Sequence, residues 1–146
     1  MIIGVWDGDN VRGTHVEFLN DDFLPISRIT NPDFGSSDKF GDHATHVAGT
    51  LIAKGTNPNS KGMAPKAEIK SYDWENDVIE ALNEATENGL LLSNHSYGIP
   101  VQQNDNSNYL MGSYSLESQK WDRITFAAEY YLPIISAGND GTVTAT

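Results

Sequence analysis

The stretch Asp42-His43-Ala44-Thr45-His46-Val47-Ala48-Gly49-Thr50 decides how this chain is read. A polar His-Ala-Thr-His opens a helix, predicted over residues 43–54, and leads straight into small, tightly packing residues. Upstream, Ile2-Ile3-Gly4-Val5-Trp6-Asp7 is an apolar run closed by a carboxylate. Downstream, Ile134-Ile135-Ser136-Ala137-Gly138-Asn139-Asp140-Gly141 is another, closed by an Asn-Asp-Gly turn sequence. Short apolar runs bounded by turn residues fit parallel strands covered on both faces, and such runs place strands at 2–6, 67–72, 90–94 and 133–137, with a weaker one at 26–30. Two more helices are predicted over 76–88 and 118–131. In the first, Val78, Ile79, Leu82 and Ala85 form an apolar stripe, Glu80, Glu84 and Glu87 face away, and Gly89 stands where a C-terminal cap belongs.

Strands alternating with helices imply right-handed crossovers and an α/β fold, a three-layer, doubly wound, mostly parallel sheet. In such sheets functional groups gather at the carboxyl ends of the strands. Asp7, Ser96-Tyr97-Gly98 and Asn139 all lie at or just past such ends. The polar stretch 102–118 reads as a surface excursion or insertion. No internal repeat or low-complexity tract is present.

A hydroxyl nucleophile needs a base, and the base needs a carboxylate to hold its tautomer and stabilise the imidazolium. His43 and Asp7 suit those two roles, though only the fold can bring them together. Taken singly, His43 also fits a helix-capping or surface histidine, and Asp7 a turn former. His43 and His46 at i, i+3 suggest a zinc pair, but the Glu of an H-E-x-x-H motif is missing and no third ligand is evident. Asn139 reads either as an oxyanion donor or as part of an ordinary Asn-Asp-Gly turn.

Asp, His and Asn in this chain order, with the Thr45-His46-Val47-Ala48-Gly49-Thr50 continuation, resemble the subtilisin-like serine peptidases (subtilases), whose triad runs Asp, His, Ser along the chain. The likeness extends from Ile3 to Gly141 and looks most like secreted bacterial subtilases. It implies a serine endopeptidase in which Asp7 orients His43, His43 is general base and acid, and Asn139 holds the oxyanion. His46 would be an inward-facing structural residue. Ser93-Asn94-His95-Ser96-Tyr97-Gly98 resembles the family stretch whose backbone pairs with extended substrate, with Ser96, Tyr97 and Gly98 at the matching positions; apart from the family it reads as a strand end with a tyrosine lid. Gly62-Met63-Ala64-Pro65 matches a segment that packs and directs the chain, and Trp74 and Asp73 lie where they would edge the cleft.

The departures are specific. The family's Asp-Ser/Thr-Gly is Asp7-Gly8-Asp9 here, adding a second carboxylate, and the Gly after the catalytic His is Ala44. No serine sits in a Gly-Thr-Ser-x-Ala-type segment, which bears the family's nucleophile. Residues 1–146 are therefore expected to be the N-terminal part of a subtilase domain, inactive alone and continuing at both ends in the natural protein. The rival reading is a non-catalytic peptide-binding or self-associating fragment, or one completed by a second, C-terminal chain.

Composition narrows the partners. Twenty acidic against nine basic residues give a net charge of −11, which argues against a phosphate-backbone partner. No apolar run is long enough to span a bilayer. No cofactor is implied. Structural calcium has loop candidates at Asp21-Asp22 and Asn104-Asp105-Asn106, without EF-hand spacing. The absence of cysteine excludes a disulfide framework and a thiol nucleophile. No signal peptide precedes Ile2, and the resemblance places the parent protein outside the cell or on its surface.

Overall fold

The structure, a computed structural model, describes residues 1–35, 39–99, 112–139 and 141. Its elements are β1 (Ile2–Asp7), β2 (Ile29–Thr30), α1 (Asp42–Ile52), β3 (Glu68–Asp73), α2 (Asp77–Thr86), β4 (Leu92–His95), α3 (Leu116–Ala127) and β5 (Leu132–Ile135), with 3-10 turns at Val16–Phe18 and Pro58–Ser60. The five strands form one sheet in the order β2-β3-β1-β4-β5, every neighbouring pair parallel. Pro133, which has no N–H to donate, sits in β5 at the sheet edge, where a proline is tolerated. Most of the 102–118 stretch lies outside the described residues.

Period-two alternation sorts the central strand. Ile3 and Val5 pack on one face with Ala44, Ala48 and Ile52 of α1. Trp6 points to the other, where it joins Tyr72, Ala81, Leu90, Ile124 and Tyr131 beneath α2 and α3. One helix on one face and two on the other make the expected three layers. Gly4 belongs to the Trp6 face: a Cβ there would lie 2.4 Å from Trp6 Cζ3, so the indole folds over a position that must stay bare.

Polar groups close the ends of α1. Thr45 Oγ1 donates to the Gly41 carbonyl (2.7 Å) and accepts the Arg12 N–H (3.1 Å). At the far end, the N–H groups of Gly62, Met63 and Ala64 donate to Ala53, Thr50 and Leu51, covering carbonyls that a helix leaves unpaired. The Arg28 guanidinium adds bonds to the carbonyls of Ile52 (2.7 Å), Ala67 (2.7 Å) and Glu17 (2.9 Å).

The stripe expected on α2 needs correction. Ile79 is exposed, whereas Glu84 is buried and Glu80 half-buried. Glu84 turns inward to accept Lys70 Nζ (2.7 and 3.0 Å) and Tyr72 OH (2.7 Å), and Glu80 accepts Trp6 Nε1 (2.9 Å). Partners supplied by the sheet outweigh what the charge pattern of the helix alone implies. Gly89 takes a φ of +68°, as its position after the helix requires.

Candidate active site

Asp7 is the last residue of β1, on the same face as Ile3 and Val5, so its carboxylate lies beneath α1, 6% exposed. His43 is the second residue of α1. Its Nδ1 stands 2.8 Å from both Oδ1 and Oδ2 of Asp7. The carboxylate accepts, so Nδ1 carries the proton and Nε2 keeps its lone pair. Oδ1 is also held by the Gly8 N–H at 2.8 Å. The imidazole is 64% exposed and lines a cleft of about 420 Å³ with Ser96, Tyr97, Gly98, Ile99, Ser136, Gly138 and Asn139. Every site residue read from the sequence is thus at this cleft, with Asp7 beneath its histidine. Gly138, at φ +83°, turns the chain so that Asn139 reaches it.

Ser136, Ile99 and Gly138 were not singled out from the sequence. Ser136 was findable, since it ends the last apolar run just before Gly138-Asn139. Both serine hydroxyls in the cleft are engaged: Ser136 Oγ donates to the Tyr97 carbonyl (3.0 Å), and Ser96 Oγ accepts Asn94 Nδ2 (2.8 Å). Trp74 and Asp73 are not among the residues lining this cleft; Trp74 lies edge-on to Tyr97 at 5.9 Å and over Gly8, where a Cβ would sit 3.3 Å from the indole. Asp9 packs against Gly41 and leaves the contact between Asp7 and His43 intact.

His46 does not face the interior. It is exposed and borders a separate groove of about 600 Å³ that also includes His15, Asp42, Gly49 and Met63. At 100° per residue, Ala44, Ala48 and Ile52 define the inward stripe and His46 falls nearly opposite. Among the described residues no three His, Asp or Glu side chains gather in a metal-binding arrangement. Asp21 pairs with Lys54 at 3.3 Å and Asp22 accepts Asn20, while Asn104-Asp105-Asn106 lies outside the described residues. No helix among the described residues is long and apolar enough to cross a membrane.

The chain is 31% identical over 97 residues to the minor extracellular protease Vpr of Bacillus subtilis (strain 168), covering 61% of this chain and 11% of that protein. It is 29% identical over 97 residues to the major intracellular serine protease of the same organism, covering 56% of this chain and 30% of that protein. The match to the subtilase family model spans residues 12–146. That span includes His43 and Asn139 and begins after Asp7, whose place at the site rests on its two 2.8 Å contacts. The chain, matched by that model over residues 12–146, belongs to the subtilase family.

Proposed function

We propose that the protein carrying this chain is a serine endopeptidase and that Asp7, His43 and Asn139 are the acid, base and oxyanion members of its site. The supporting observation is the contact of His43 Nδ1–H, shared between both oxygens of Asp7 at 2.8 Å, which leaves Nε2 as the basic nitrogen. A serine hydroxyl gives its proton to Nε2 as it attacks the peptide carbonyl, the imidazolium is stabilised by Asp7, and the proton passes to the leaving amine. Asn139, across the cleft, donates to the oxygen that becomes negative; removing such a donor costs about 10²–10³ in turnover, a figure that comes from subtilisin itself. Ser96, Tyr97 and Gly98 pair with an extended peptide by main-chain bonds. The acyl group left on the serine is then hydrolysed by a water that gives its proton to His43, which returns it to the serine oxygen, and these steps call on no cofactor, metal, nucleic acid or membrane.

Neither cleft serine is hydrogen-bonded to His43 and neither stands in a Gly-Thr-Ser-x-Ala-type segment, so we assign the nucleophile to a segment outside this sequence, in the same protein or in a complementing C-terminal chain. Location outside the cell is supported by the extracellular relative and opposed by the intracellular one; fractionation of the source cells decides it. Purified alone, the 146-residue chain is expected to show only background turnover of casein or a chromogenic peptide. The protein that also carries the nucleophile is expected to hydrolyse both and to lose roughly 10⁴ in turnover on Asp7→Asn, the loss known for the triad template. Hydrolysis by the chain alone, blocked by a serine-directed phosphonate, refutes the assignment of the nucleophile. An unaffected Asp7→Asn refutes the site.

A further inference from the structure

On the face of the sheet opposite His43, β4 and the residues beyond it carry Ser93, His95 and Tyr97 at alternate positions. Five side chains join there in sequence. Tyr131 OH lies 2.5 Å from Ser93 Oγ, Ser93 Oγ 2.8 Å from His95 Nε2, His95 Nδ1 2.8 Å from Tyr97 OH, and Tyr97 OH 2.5 Å from Asp77 Oδ2. Proton counting gives this chain a direction. Tyr97 donates its single proton to Asp77, so its oxygen accepts from His95 Nδ1–H. Neutral His95 then has a bare Nε2, which accepts from Ser93, and Ser93 accepts from Tyr131. His95 is 1% exposed, stacked on Trp6 at 5.1 Å and met edge-on by Trp121 at 4.7 Å. Burial lowers its pKa to about 4, against a smaller opposing pull from Asp77, so the ring is neutral at pH 7.

We infer that this relay fixes the peptide-binding edge: Asp77, at the start of α2, selects the Nδ1–H form of His95 through Tyr97, and the locked Tyr97 holds Ser96-Tyr97-Gly98 in place. The inference rests on the proposed peptide-binding role of that edge. The β4 and β5 pairing ends at His95 and Ile135, so the next residues leave the regular ladder. Beyond it, Tyr97 is tied at both ends, its hydroxyl to Asp77 and His95 and its carbonyl to Ser136 Oγ. A main-chain edge that binds extended peptide needs carbonyls held in a fixed geometry, and a network buried at Ser93, His95 and Tyr131, half-buried at Tyr97 and Asp77 and satisfied throughout, supplies that rigidity. His95, Tyr97, Ser93 and Asp77 are positioning residues; none contacts the reacting atoms.

The test uses this chain with ¹⁵N-labelled histidine. Nitrogen shifts are expected to show protonated Nδ1 and bare Nε2 from neutral pH down to about pH 5. Tyr97→Phe removes the acceptor for Nδ1–H, so His95 is expected to switch to the Nε2–H tautomer and donate to Ser93; Ser93→Ala leaves Nδ1–H in place. In Tyr97→Phe, exchange at the Ser136 amide, which donates to the His95 carbonyl, rises about tenfold relative to Val5 in β1. An Nε2–H or doubly protonated His95 in the wild type overturns the relay, as does a tautomer unmoved by Tyr97→Phe. Equal acceleration at Val5 and Ser136 marks a general loss of stability and overturns the positioning role. In the protein that carries the nucleophile, Tyr97→Phe raises KM for extended peptides about tenfold with kcat within twofold; a switched tautomer beside an unchanged KM also overturns it. Absence of any peptide turnover in the wild type defeats the peptidase reading, while the tautomer and exchange measurements still decide the relay.

Discussion

Lowering the pH should unfold this chain partly through His95, and His95→Gln should abolish that contribution. The folded pKa of His95 is about 4 against an ordinary value of 6.5, with burial as the main cause. Between those values the unfolded chain takes up a proton that the folded chain refuses, so stability falls as pH drops. The full difference of 2.5 units corresponds to about 3 kcal/mol, most of it lost by pH 4. The wild-type curve alone will not display this. Burial raises Glu80 to about pH 7 although its bond from Trp6 pulls the other way, and that proton is taken up by the folded chain, giving the opposite slope over nearly the same range. The decisive quantity is therefore the wild-type minus His95→Gln difference in unfolding free energy, from urea titrations followed by tryptophan fluorescence at about pH 7, 6, 5 and 4. At pH 7 the wild type leads by about 1–3 kcal/mol, the worth of a buried hydrogen-bonded group. That lead should shrink by about 3 kcal/mol at pH 4 and reverse if it began smaller. A difference constant to within about 0.5 kcal/mol across the range would refute the claim that His95 is buried neutral.

Glu80→Gln keeps an acceptor for the Trp6 N–H but cannot ionise, so it should gain stability relative to wild type as pH rises from 5 to 8; parallel denaturation curves would count against it. Alanine at Gly62 and at Gly49 should act in opposite senses. A Cβ at Gly62 would meet the Ala53 nitrogen at 2.5 Å, a backbone atom that cannot yield, and should cost about 1–3 kcal/mol in the same titration. Gly49 lies in α1 with nothing within 4 Å of its would-be Cβ, and alanine there should stabilise this chain by roughly 0.5–1 kcal/mol. Edge strand β5 leaves Leu132, Ile134 and Ile135 about half exposed, so light scattering on the isolated chain should show association that Ile134→Lys suppresses; a monomer at high concentration removes the self-associating reading.

Much of the framework was legible because its signals are local and strong. The apolar runs ending in Asp7 and before Asn139 gave two strand ends, and the small residues after His43 gave a helix able to lie against them. The strand order itself was not legible, because β1 and its sheet neighbour β3 are separated along the chain by β2 and α1. Errors came where a long-range partner overrides a local pattern. Glu80 and Glu84 look solvent-facing on a helical wheel, and nothing near them in sequence announces that Trp6, Lys70 and Tyr72 receive them. His46 was placed inward on family likeness, although Ala44, Ala48 and Ile52 already define a stripe that excludes it. The alternation Ser93, His95, Tyr97 was visible, but its partners Asp77 and Tyr131 stand 20 residues before Tyr97 and 38 after Ser93.

The same period-two alternation makes the site dependable. On β1, Ile3 and Val5 are 2% and 0% exposed on the face beneath α1, and Trp6 is 0% exposed on the other. A one-residue slip exchanges the faces. It would carry Asp7 among Trp6's aromatic neighbours, strand a carboxylate without its histidine, and press the indole against the alanines of α1. Each consequence is costly alone, as a buried unpaired charge or an overfilled core. The contact between Asp7 and His43 is therefore specified chiefly by the residues on either side of it. On β4, Leu92 packs beneath α1 while Ser93 and His95 face α2 and α3. The sheet thus separates the proton-transfer pair on one face from the relay on the other, with strand ends one residue apart as the link between them.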